Sequence, residues 1–151
     1  MKLNWKIILG GGAVLYVAEF ILGMASGMVI HNGVLESIYD TTQEFWRPEL
    51  NQDPPDMAAL MPQWIAVGLL TAFVHAGIFD NIRSALNGSA MIKGLKFGLI
   101  IAIIYILLGA SMAGVFNLPN TVWFWWSLEW LVLFPIAGIA LGWFVGKYGD
   151  N

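Results

Sequence analysis

Four long apolar runs, at 7–30, 57–79, 97–116 and 122–145, decide what this chain can fold into. Each approaches or exceeds the roughly 20 residues a helix needs to cross a hydrocarbon core about 30 Å thick. Runs of that length are too long for barrel strands and lack their alternation. Backbone groups in lipid must be satisfied within their own segment, so the runs are helices. Composition agrees: 58% of the 151 residues are hydrophobic and 11% are charged, against about 25% charged in a typical soluble chain. The sequence predicts an all-α, polytopic membrane protein, a single domain over residues 1–151 folded as a four-helix transmembrane bundle. The first run follows Lys2 and Lys6, but its 24 residues exceed the apolar stretch of a signal peptide, so it reads as a retained span.

Charge sets the expected orientation. Lys2, Lys6, Arg83, Lys93, Lys96 and Lys147 fall on the side of both termini, and Arg47 alone on the other. The positive-inside rule then places both termini in the cytoplasm. Net charge −3 with scattered basic residues excludes a nucleic-acid partner. The absence of cysteine removes disulfides, thiolate metal sites and cysteine nucleophiles.

The connectors carry their own signals. Asp53-Pro54-Pro55-Asp56 predicts a helix start with Asp53 as cap, and Pro119-Asn120-Thr121 predicts another. The short 117–120 turn makes the last two spans an antiparallel hairpin. Between the first two spans, residues 31–56 hold six acidic groups against Arg47, a net of −5. Val34, Leu35, Ile38, Tyr39, Phe45 and Trp46 recur there at helical spacing, predicting an extracytoplasmic helix over 33–46 that stops at Arg47-Pro48. Trp46 suits the headgroup level.

Chemistry starts with two carboxylates inside the spans. Glu19 lies midway along the first run, and Glu129 lies nine residues beyond Asn120, about 14 Å deep at 1.5 Å per residue. Matched depth on antiparallel helices predicts that the two face one another and that at least one holds a proton, since close carboxylates do not both ionise in low dielectric. Tyr16, Gly23 and Ser26 share the face of Glu19, while Trp125 and Trp126 flank Glu129. Trp130 lies too deep for an interfacial belt and either packs the core or stacks an apolar ligand. The carboxylates either lock the bundle through hydrogen bonds or couple proton or cation movement.

His31 and His75 fall at opposite ends of the bundle, and no spacing suits a zinc or di-iron site, so neither metal nor cofactor is expected. Glu36, Asp40 and Glu44, at i, i+4 and i+8, predict an acidic stripe on the outer helix, a solvated face or a weak cation site. Small residues four apart at Gly23/Gly27, Gly94/Gly98, Ala110/Gly114 and Gly138/Gly142/Gly146 predict close helix packing. Pro135 predicts a kink in the last span.

Ile30-His31-Asn32-Gly33-Val34-Leu35, Trp46-Arg47-Pro48, Gly94-Leu95-Lys96-Phe97-Gly98-Leu99 and Glu129 together resemble an uncharacterised bacterial family of four-span proteins of this length. The resemblance implies a bacterial inner membrane and carries no activity. Glu19 also matches, loosely, the single first-span Glu of small multidrug transporters, although the strong charge bias argues against their dual topology. The Arg-rich site of integral-membrane glutathione transferases is missing. No nucleophile–base–orienter set is present, so a non-enzymatic role is expected. The chain reads first as an accessory subunit or self-associating scaffold with a homo-oligomeric or membrane-complex partner. The alternative is a proton- or cation-coupled small-molecule transporter using Glu19 and Glu129. A weaker one is a pigment, haem or quinone binder.

Overall fold

The computed structural model describes residues 4–149. Among them every regular element is helical, and four helices are long and apolar enough to cross a membrane. Helix α1 spans Ile7–Val34 and is π-helical over Ile7–Gly11 and again over Gly27–Val34. A short α2, Glu36–Asp40, and a single 3₁₀ turn, Gln43–Phe45, follow. Helices α3, α4 and α5 span Met57–Ile82, Ala90–Ala113 and Asn120–Tyr148.

Local chemistry moves several boundaries away from the limits of the apolar runs. Asp56, not Asp53, caps α3, its carboxylate accepting the Ala59 N–H at 3.1 Å. Helix α4 starts seven residues before the apolar run at 97 because the Ser89 hydroxyl accepts the Ile92 N–H at 3.4 Å. Lys96 then reaches back to the Asn87 carbonyl at 2.9 Å, so its charge stays at the start of α4. At α5 the cap position is Pro119, without a side-chain bond, and the helix runs unbroken through Pro135 to Tyr148.

The predicted 33–46 helix is broken. Thr41 and Thr42 both turn their hydroxyls onto the Ile38 carbonyl, each at 2.9 Å. Such back-bonding competes with the next helical turn, and α2 ends at Asp40. Glu44 therefore lies beyond the break, so Glu36, Asp40 and Glu44 do not form one stripe.

Packing is uneven along the bundle. One dry core, built from Ile7, Leu15, Ala72, Phe79, Phe97 and Leu141 among others, fills the half nearest the termini. There α4 and α5 touch backbone to backbone: a Cβ on Gly94 would overlap the Gly138 carbonyl, and one on Gly142 would overlap the Ala90 carbonyl. These are the small-residue stripes of the last two spans in use. The distal half, opposite the termini, holds a smaller cluster of Ile30, Leu35 and Val122 under Tyr39, Trp125 and Trp126, with Leu60 and Thr42 also buried at that end. Gly23 and Gly27 have open space beside them, and Ala110 and Gly114 are exposed, so those two stripes seat no other helix among the described residues.

Candidate functional site

Glu129 is the centre of a hydrogen-bonded chain in the distal half. One carboxylate oxygen accepts from the Ser26 hydroxyl and the other meets His31 Nε2 at 3.2 Å. His31 Nδ1 lies 2.7 Å from the Tyr39 hydroxyl, which also accepts the Trp126 indole N–H at 3.0 Å. The His31 and Tyr39 rings stack at 5.9 Å, and Trp46 closes edge-on over Tyr39 at 5.0 Å. The chain joins α1, α5 and the segment between α1 and α3.

The π-helical end of α1 makes this arrangement possible. Ser26 and His31 are five residues apart and would diverge by about 140° on an α-helix of 3.6 residues per turn. The wider i→i+5 turn of a π-helix returns them to one face. Both then reach the same carboxyl group. Register comes from Val122 seated against Ile30 and Leu35.

Proton counting shows that the chain can be wired in two ways. Ser26 has one hydroxyl proton but two acceptors in range, Glu129 Oε1 and its own Gly23 carbonyl at 3.1 Å. With Glu129 ionised, Ser26 donates to it, His31 Nε2–H donates to the second oxygen, and Tyr39 donates to Nδ1. With Glu129 protonated, the acid donates to Ser26, which turns to Gly23. Burial, together with the charge of Glu129, pushes the Tyr39 phenol above its ordinary value, against the Trp126 bond that favours phenolate. Tyr39 therefore keeps its proton and stays a donor at neutral pH.

Glu19 is not part of this chain, contrary to the expected pairing. Ser26 lies seven residues further along α1, about 10 Å at 1.5 Å per residue. The expected equal depth fails because α1 continues to Val34 and Val122 docks at the level of Ile30–Leu35, which lifts Glu129 toward the distal end. Glu19 Oε1 is buried without a hydrogen-bond partner among the described residues. Tyr16, one turn below Glu19, packs into the notch left by Gly68, where a Cβ would lie 2.8 Å from the ring. His75 is also buried with Nδ1 unpartnered, its ring edge-on to Phe97, Tyr105 and Phe134.

Of the residues singled out by sequence, Ser26 and Trp126 join Glu129 and the Gly23 carbonyl is the second acceptor for Ser26, while Tyr16 stays on the Glu19 side of α1. Trp125 belongs to the distal apolar cluster, and Trp130 lies against Tyr105 at 5.9 Å. Glu36 and Asp40 are exposed on α2. Sequence reasoning missed His31 and Tyr39 as partners of Glu129, because ideal α-helical spacing keeps His31 off the Ser26 face. Comparison of the chain with known protein families, curated proteins and solved structures finds no match.

Proposed function

We propose that the protein is a proton-coupled small-molecule transporter of a bacterial inner membrane, with Glu129 as its coupling carboxylate and both termini in the cytoplasm. The observation that carries this reading is the exchangeable hydrogen-bond chain from Tyr39 through His31 to Glu129 and Ser26. An intramembrane carboxylate with two self-consistent proton arrangements, linked to the distal surface through an imidazole, suits proton loading. Uneven packing supports it as well: the bundle is closed at the terminal end and loose at the distal end, as one access state of a carrier would be. Glu19, deeper and unpartnered, is the second proton-binding group in this scheme.

Infrared difference spectra of the reconstituted protein test it. Across the pH range in which the fold holds, a carboxyl band should titrate, move in His31→Gln and vanish in Glu129→Gln. A Glu129 carboxyl that keeps one protonation state across that window would remove the coupling role. Orientation has its own check. Cysteines replacing Asp53 and Ser89 should label from opposite faces of intact cells, Asp53→Cys from outside. The asymmetry of Lys and Arg is the basis of that expectation.

A scaffold role through self-association is the second reading. It is favoured by Gly23 and Gly27, a close-packing stripe with open space beside it among the described residues.

A further inference from the structure

Outside the hydrogen-bonded chain, but sharing Trp126 with it, lies a groove of about 670 Å³ between α4, α5 and the 3₁₀ turn. Its wall is a run of aromatic rings. Trp123 meets Trp126 edge-on at 5.4 Å, Trp126 meets Trp130 at 6.4 Å, and Trp130 meets Tyr105 at 5.9 Å. Gly109 makes room for the wall, since a Cβ there would sit 2.7 Å from the Trp130 ring. Glu44 is the one charged residue among those lining the groove, and no Lys, Arg or His lines it.

The chemistry of this lining selects for charge. The Trp126 N–H is committed to Tyr39, and the Trp123 N–H is buried in the protein. Those two indoles therefore offer ring faces to the groove, and the Tyr105 hydroxyl and the Trp130 N–H are the neutral donors left in its lining. A cation meets the negative faces of the rings and a carboxylate at the mouth. Leu108 and Met112, both more than a third exposed, extend the groove along the flank of α4, so an apolar body can enter sideways from the bilayer.

We propose that this groove binds a lipophilic organic cation, its apolar body against Trp123, Trp126 and Trp130 and its charge toward Glu44. That such a cation is the transported substrate rests on the transport reading; the binding site does not.

The test compares two probes of one shape and opposite charge, tetraphenylphosphonium and tetraphenylborate, by equilibrium dialysis against the full chain in nanodiscs, with empty nanodiscs as blank. Tetraphenylphosphonium should bind saturably and tetraphenylborate no more than to the blank. Glu44→Gln, at an exposed position that leaves folding alone, should weaken the cation about fivefold, as expected for an exposed charge contact. Trp130→Leu should weaken it on the order of tenfold through loss of a ring face, and Trp130→Phe should recover most of that. Equal binding of the two probes, or wild-type affinity in both Glu44→Gln and Trp130→Leu, would overturn the site. The two proposals separate cleanly. Cation binding without titration of Glu129 keeps the site and removes the transport reading, whereas titration without cation binding does the reverse.

Discussion

Gly138→Leu should separate α4 from α5 and cost more than about 3 kcal/mol, at or beyond the usual upper end for overpacking a core. The expectation rests on what the new side chain meets. A Cβ on Gly138 overlaps the Gly94 carbonyl, and one on Gly94 overlaps the Gly138 carbonyl, so the obstacle on both sides is backbone. A flexible side chain could rotate away, but a helix backbone has to translate. Translation would undo the neighbouring contacts of Gly98 with Phe134 and Pro135 and of Gly142 with Ala90. Lipid offers no hydrophobic gain for bringing helices together, so close backbone approach and its dispersion are what this pair would lose. Gly23→Leu is the internal control: nothing lies within 4 Å of its Cβ position, and folding stability should change by less than about 0.5 kcal/mol. Denaturation of the purified protein in mixed micelles, followed by helix circular dichroism, reads both. Equal loss in the two variants would mean that the α4–α5 contact does not hold the bundle. A fall in oligomeric mass confined to Gly23→Leu would favour the scaffold reading.

The same glycines show which part of the fold was legible. Four helices long and apolar enough to cross a membrane follow from apolar length alone, because lipid admits nothing but helices over twenty such residues. Gly94/Gly98 against Gly138/Gly142 was readable as a stripe, since a four-residue spacing puts small residues on one face of a regular α-helix. Gly23/Gly27 carries the same spacing and seats no other helix among the described residues. The pattern states that a close approach is permitted, and the partner is decided by the whole bundle. The candidate site was legible at Glu129, Ser26 and Trp126. Glu129 stands out because ionisable groups in lipid are costly. Its partners depended on the π turn in α1 and on the lift of α5 by Val122, and both are tertiary outcomes that a 3.6-residue period does not encode. Thr41 and Thr42 had a local reason to end the outer helix, and the apolar spacing through Trp46 masked it.

Glu129→Ala should cost about 1–3 kcal/mol and free the segment between α1 and α3, while Glu129→Gln should stay within about 1 kcal/mol of wild type. Alanine leaves Ser26 and His31 facing each other across a gap with no acceptor between them. The full penalty for a broken buried pair, about 3–5 kcal/mol, is reduced here because the His31 side chain is 33% exposed and water reaches it. Glutamine keeps the shape but has one acceptor and one donor where the carboxylate has two acceptors. If the amide oxygen takes the Ser26 proton, the amide N–H₂ faces His31 Nε2, which must then give up its proton. His31 shifts to the Nδ1–H tautomer and donates to Tyr39, whose hydroxyl turns outward. Every bond survives, the two at His31 with their direction reversed, so the fold holds while the proton load is gone. Hydrogen exchange over residues 35–56 should therefore rise in Glu129→Ala and remain near wild type in Glu129→Gln. A double-mutant cycle between Glu129→Ala and His31→Ala should give a coupling of at least about 0.5 kcal/mol, as contacting residues in one network do. Full additivity would mean that His31 and Glu129 act independently, and proton delivery through the imidazole would fall with it.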